Sequence, residues 1–254
     1  MFRLMKANKD QMTRAVNTGY LDLLEKEVSL PSYGGITTEG LLCYFTCNDE
    51  TSPVKDEING ITLSSYGRVR LGQEGHTEKS WYGYGDDYDD SGYLTTSSQN
   101  AFTIPDTFTM SILIKPIRGY SNAPIFEFGS YDRNTGYGIW INDSRQITCR
   151  VNQNWQDYGK SLTANVWHHV VYTYDKQMIR VYVNGLPYKS RSCTATPNKT
   201  TYVHAFSRSP GAGSWYENYN GYLDEVRLYD RVFDESEVVK LAKAYKLYEG
   251  GNDV

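Results

Sequence analysis

The residues able to do chemistry are a lone glutamate, an aspartate run, a histidine pair and several loop aromatics. Acid/base hydrolysis needs two carboxylates held on one face at a fixed separation. Glu127, in Ile125-Phe126-Glu127-Phe128-Gly129-Ser130, stands alone in its stretch. Asp86, Asp87, Asp89 and Asp90 crowd a loop with Gly and Tyr. That setting suits a solvated or calcium-facing loop better than an acid/base pair. His168-His169 has no Ser or Cys beside it in a nucleophile context, so nothing along the chain marks an activated nucleophile. These groups predict no catalytic residue.

Composition narrows the classes further. The 254 residues carry a formal net charge of −4, with a pI near 5.6. A nucleic-acid partner leaves a basic footprint that is missing here. No segment approaches the ~20 apolar residues that span a bilayer. Arg3, Lys6, Lys9 and Asp10 break every apolar run near the start, so the start does not read as a secretory signal. Cys43, Cys47, Cys149 and Cys193 fit no zinc spacing. Cys43 and Cys47, four apart in one strand, lie about 13 Å apart, too far to bridge. The cysteines read as reduced core residues. Tyr is unusually frequent, 23 against 8 Phe, and suits half-buried strands and wet recognition surfaces.

From Ile36 onward the text alternates strand and turn. Trp167–Asp175 is dense in β-branched and aromatic residues. Lys176-Gln177 turns the chain. Met178–Val183 then alternates, and Asn184-Gly185 is a type I′ hairpin signal. Further strands are predicted at Leu41–Thr46, within Ile61–Leu71, and at Phe108–Pro116, Pro124–Phe128, Tyr137–Ile141, Gln146–Asn152, Tyr188–Thr194, Tyr202–Ser207 and Gly221–Tyr229, with a long loop at Gly72–Gly92. Many short strands predict an all-β sandwich or jelly roll. Asp234 with Glu237 forms a capping box that opens a short C-terminal helix, with Val238, Leu241 and Tyr245 on one face. Residues 1–35 read as a helical arm and linker, 36–248 as one domain, and 249–254 as a tail. The arm presents Leu21, Leu24 and Val28 at helical spacing before Pro31 stops it. It either contacts another chain or packs on its own domain.

Five segments in order resemble laminin-G-like domains of the concanavalin-A-like superfamily: Leu41–Phe45, Tyr84–Leu94, Phe108–Pro116 (FTMSILIKP), Asn165–Gly185 (NVWHHVVYTYDKQMIRVYVNG) and Gly221–Ser236 (GYLDEVRLYDRVFDES). The resemblance implies a jelly roll that more often binds than catalyses. Glycosidases on that fold carry Glu-x-Asp-x-x-Glu on one strand, and this chain has no such triplet. The resemblance implies calcium on loops, with Asn48, Asp49 and Asp224 as the matching oxygen donors. Against it stands a structural Asp224 that caps a turn or pairs with Arg227 or Arg231. It also implies sugar recognition by loop aromatics beside polar groups, with Trp81, Tyr84, Tyr88, Trp155, Tyr158, Trp215 and Tyr216 as candidates. Trp140 and Trp167 read as core. The expected function is a non-enzymatic binding or structural module that binds host glycans, with possible homo-oligomers. Its expected setting is a bacteriophage virion, with the arm docking on other virion proteins. The alternatives are a secreted or surface carbohydrate-binding module of a bacterium, or a glycoside hydrolase.

Overall fold

The computed structural model describes residues 36–85, 92–97, 103–118, 122–130, 135–155, 159–197, 202–206 and 218–250. The arm, with Leu21, Leu24 and Val28, lies outside them, as do the Asp86–Asp90 run and the candidates Tyr88, Tyr158, Trp215 and Tyr216.

Two antiparallel sheets make a sandwich. The first has the order β14-β13-β12-β7-β16-β5-β4, and β1 also pairs with β16. Its strands are β1 (Leu41–Phe45), β4 (Val69–Glu74), β5 (Lys79–Gly83), β7 (Phe108–Arg118), β12 (His168–Tyr174), β13 (Met178–Val183), β14 (Leu186–Ser192) and β16 (Asn220–Tyr229). The second has the order β11-β10-β9-β8-β15-β6-β3-β2. It is built from β2 (Val54–Lys55), β3 (Thr62–Tyr66), β6 (Tyr93–Thr95), β8 (Ala123–Ser130), β9 (Thr135–Ile141), β10 (Ile147–Val151), β11 (Asn154–Trp155) and β15 (Tyr202–Ala205).

Alternate residues point to opposite faces of a strand, and the apolar set of each sheet points at the other. Phe45, Trp81, Ile112, Ile114, Tyr172 and Leu223 of the first sheet join Leu94, Phe126, Phe128, Ile139, Cys149 and Val203 of the second in one buried cluster. Phe108 stacks on Tyr137 across the sandwich at 3.7 Å. All four cysteines are buried and free, as their sequence context predicts.

The predicted hairpins form in register. β12 pairs β13 from Val170↔Val183 to Tyr174↔Ile179, and β13 pairs β14. Asp175 closes the first turn by accepting the N–H groups of Gln177 and Met178. Asn184 and Gly185 both adopt positive φ, 51° and 82°, as a type I′ turn requires. The predicted 72–92 loop is wrong in one part. β4 runs on to Glu74 and β5 follows at Lys79, in a segment whose glycines and polar residues mask its β-forming Trp81-Tyr82 pair.

The C-terminal helix α1 (Glu235–Ala244) opens on Asp234 with both capping-box bonds present. Its Val238 and Leu241 pack with Val171, Tyr182, Tyr229 and Phe233. These residues lie on the outer face of the first sheet, so α1 covers part of that face. Glu249, read as the start of the tail, is tied instead to the hairpin turn, where its carboxylate accepts from Asn184 Nδ2 at 2.5 Å.

The turn at Gly185 is also a packing point, because a Cβ there would sit 2.6 Å from Tyr248 and 3.0 Å from Ala242. Gly185→Val is therefore expected to cost about 1–3 kcal/mol from the backbone alone, plus the clash. A denaturant midpoint unchanged by the substitution would show that the turn relaxes freely.

Candidate functional site

The second sheet departs from the usual pattern on its outer face. A sheet face shielded from water normally carries apolar residues, because an unpaired buried polar group is costly. Here one cross-strand row reads Ser64, Thr95, His204, Glu127, Gly138, Arg150 and Trp155. Thr95, His204, Glu127 and Arg150 are buried, although their neighbours in sequence fill the core.

The row is built around a bare position. Glu127 and Arg150 lie on β8 and β10, two strand spacings or ~9.5 Å apart, and Gly138 of β9 stands between them. Without a side chain there, the Arg150 guanidinium reaches the Glu127 carboxylate over the sheet surface. A Cβ at Gly138 would lie 3.1 Å from Glu127 Cβ. The guanidinium also sits 5.3 Å from the ring centres of both Trp140 and Trp155. Those two rings meet edge to face at 5.0 Å. On the other side, His204 Nδ1 lies 2.7 Å from Thr95 Oγ1, and Tyr202 stacks on the His204 ring at 5.4 Å. Burial pushes the His204 pKa down to about 3, so this imidazole is neutral at physiological pH.

The edges of the face are reachable. Tyr66, 48% exposed, stacks on the half-buried Tyr93 with ring centres 5.1 Å apart, on the same face as Ser64 and Thr95. At the opposite edge Trp155 is half-buried, and its carbonyl accepts from the Arg191 guanidinium.

The sequence candidates divide accordingly. Trp155 lies on this face. Trp140 is buried as predicted, but on this face and not between the sheets. Trp81 is a correction: it is fully buried, edge-on to Phe45 at 5.6 Å, because β5 turns it into the core. Tyr84 belongs to the first sheet, half-buried with Arg68 and Arg70 over its ring at 4.5 and 5.2 Å. Trp167 is a second correction, half-buried just before β12 and facing Tyr222 and His76. Sequence reasoning missed Tyr66, Tyr93, Tyr202 and His204. Their only signal is alternation with the core residues Leu63, Leu94 and Val203.

The histidine pair has a partner the sequence does not reveal. Ser111 Oγ lies 2.9 Å from His169 Nε2. Both side chains are fully buried, and His169 Nδ1 has no hydrogen-bond partner to orient it. A nucleophile needs access and an oriented base, and this pair has neither.

Two of the three proposed metal donors, Asp224 and Asn48, meet on one turn. Asp224 accepts from the N–H groups of His76 and Thr77 at 2.9 and 3.0 Å and from the Thr77 hydroxyl. Asn48 accepts from Lys79 N at 2.9 Å and donates to Glu78 at 2.8 Å. Both therefore hold the β4–β5 turn. Asp49 accepts from Lys55 N at 3.4 Å. Asp224 has the turn-holding role of the alternative reading, but Arg227 pairs with its neighbour Glu225. Among the described residues, no group of three or more His, Cys, Asp or Glu side chains could hold a metal ion.

A two-sheet antiparallel sandwich of this kind is the architecture of a jelly roll. The family model of the concanavalin A-like lectin/glucanases superfamily matches residues 86–239, and the chain belongs to that family. No curated protein matches it. It resembles a botulinum neurotoxin type C structure, described with the dependence of cell entry on two ganglioside molecules, at TM-score 0.63 and 16% identity over 81% of this chain and 51% of that one. It resembles Trypanosoma rangeli sialidase at TM-score 0.63 and 15% identity, over 94% of this chain and 40% of that one. Domain 4 of AbnA, an extracellular arabinanase from Geobacillus stearothermophilus bound to arabinotriose, matches at TM-score 0.61 and 15% identity over 80% and 98%. The chain thus spans about half the neurotoxin structure. At these identities the likeness is one of fold. No helix among the described residues is long and apolar enough to cross a membrane.

The Asp224 environment makes stability depend on pH. Burial lifts its pKa to about 7, against the hydrogen bonds from Thr77 and His76 and with help from the Glu225 charge. Burial also lifts Glu225, and Arg227 opposes that shift. The folded state thus holds protons that the unfolded chain, titrating near ~4, releases. Stability is fully present below about pH 4 for this group and is lost as pH rises towards about 7. The melting temperature should fall over that interval, and Asp224→Asn should flatten the fall. An identical slope in the variant would place the effect elsewhere.

Proposed function

We propose that the protein is a non-catalytic glycan-binding module whose ligand is held by the reachable aromatic edges of the outer face of the second sheet. The observation that carries this reading is a shielded sheet face furnished with an ion pair, a neutral imidazole, two tryptophans and stacked tyrosines instead of aliphatic residues. Aromatic rings suit the apolar faces of sugars, and nearby fixed polar groups suit their hydroxyls. The exposed Tyr66–Tyr93 stack and the half-buried Trp155 are where a sugar first meets protein. The floor of Glu127, Arg150 and His204 holds these edges in place. Family membership supports the reading, as do fold relatives studied with gangliosides and arabinotriose.

The chemistry of Glu127 supports binding over hydrolysis. A glycosidase needs a second carboxyl at about 5–9.5 Å on the same face. Among the described residues of this row there is none, and Glu127 is engaged by Arg150. Glycan-array and calorimetric binding should detect a ligand. Tyr66→Ala and Trp155→Ala should each weaken it about tenfold or more, since one ring–base stack is worth ~1–3 kcal/mol in the comparable nucleic-acid case. The melting temperature should change little. Retained affinity in both variants would move the site off this face. Release of reducing ends from the bound glycan, abolished by Glu127→Gln, would make the protein an enzyme.

A further inference from the structure

The reachable rings of the second sheet's outer face stand at its opposite ends. Tyr66 of β3 pairs with Tyr93 of β6, two residues along from Ser64 and Thr95, so both rings share the face of the polar row. Trp155 of β11 is the last member of that row, opposite Arg150. In the sheet order, β6, β15, β8, β9 and β10 lie between β3 and β11. At the usual strand spacing that separates the two ends by ~29 Å along the sheet.

The floor between them has little left to offer a ligand. Thr95, His204, Glu127, Gly138 and Arg150 are all buried. Glu127 is engaged by Arg150, and His204 by Thr95. The rings differ in this respect. Tyr66 is 48% exposed, and Tyr93 and Trp155 are half-buried. Tyr202 of β15, stacked on His204, is also half-buried and lies between the two ends. A mono- or disaccharide seated on Tyr66 and Tyr93 is too short to reach Trp155, and one seated on Trp155 is too short to reach Tyr66.

We infer that this face selects an extended, linear sugar chain gripped at both ends of the sheet, and that a terminal mono- or disaccharide is not its ligand. The inference rests on the glycan reading above and names the class of glycan. One sugar face on one ring is a single contact between an apolar ring and a partly apolar ligand. When one chain brings sugar faces to both ends, the second contact becomes intramolecular. Affinity then rises without any new protein group. The gain goes only to a chain that spans the gap, because a shorter one engages either end alone. The chain must also be extended, since coiling would shorten its reach.

The test is calorimetric titration of the full-length protein with cello-, xylo-, malto- and arabino-oligosaccharides, each graded from disaccharide to decasaccharide. In a series that binds, affinity should stay low for the short members and rise about tenfold or more once the chain bridges the ends. Short members should saturate at more than one per protein, and bridging members at one. Tyr66→Ala should abolish the rise with length while leaving the short-chain affinity of the other end and the melting temperature unchanged. Trp155→Ala should abolish the same rise from the opposite end. An affinity that has already levelled off at the disaccharide overturns the inference and leaves the glycan reading standing. So does a rise with length that both variants retain. Array binding confined to short terminal structures, with no series bound, has the same consequence. Binding to no glycan at all removes both readings.

Discussion

The bulge in β16 is the constraint on which the rest of the molecule leans. β16 pairs with β7 along its length, with β5 at its start and with β1 at its end. Its register shifts between Asp224 and Arg227, where Glu225 adopts φ +55°. A regular strand would alternate Leu223 in, Asp224 out, Glu225 in. The extra residue resets the phase, so Val226 and Leu228 return to the core while both acids and Arg227 stay on the outer side. Glu225 then pairs with Arg227 and accepts from the Tyr44 and Tyr245 hydroxyls at 3.0 and 3.1 Å. Arg227 lies 4.0 Å from the Tyr44 ring centre. A carboxylate this deeply buried is tolerable because it is paired and hydrogen-bonded.

That cluster divides the outer face of the first sheet. On one side of it, Tyr245 links to α1 and Tyr229 lies under the helix. On the other, Asp224 fixes the β4–β5 turn, and His76 of that turn contacts the Tyr245 carbonyl at 2.6 Å. The turn sets where β5 begins, hence that Trp81 enters the core and Tyr82 faces out beside Tyr222. The helix, the turn and the Tyr82–Tyr222 contact are therefore positioned by one irregularity in one strand.

The second sheet uses the opposite device. Its outer face needs no bulge to be polar, only a missing side chain at Gly138, which lets charges two strands apart neutralise each other. Neutral His204 and the paired Glu127 and Arg150 make a buried polar floor, and the reachable rings lie at its two edges.

Alternation and turn chemistry are local properties. For that reason Trp167–Gly185 determined its own hairpins, Asp234 with Glu237 determined the start of α1, and the ordered strand motifs determined the jelly-roll class. What lies opposite a residue is not local. Glu127 reads as solitary because Arg150 is 23 positions away and meets it only across Gly138. Trp81 reads as a loop aromatic because glycines surround it, yet pairing of β5 with β16 buries it. Asp224 reads equally as a metal donor or a turn holder until folding brings His76 and Thr77, nearly 150 residues distant, onto its oxygens. Strand identity was decided by side-chain periodicity along the chain; the two outer faces were decided by register between strands, which only the tertiary structure sets.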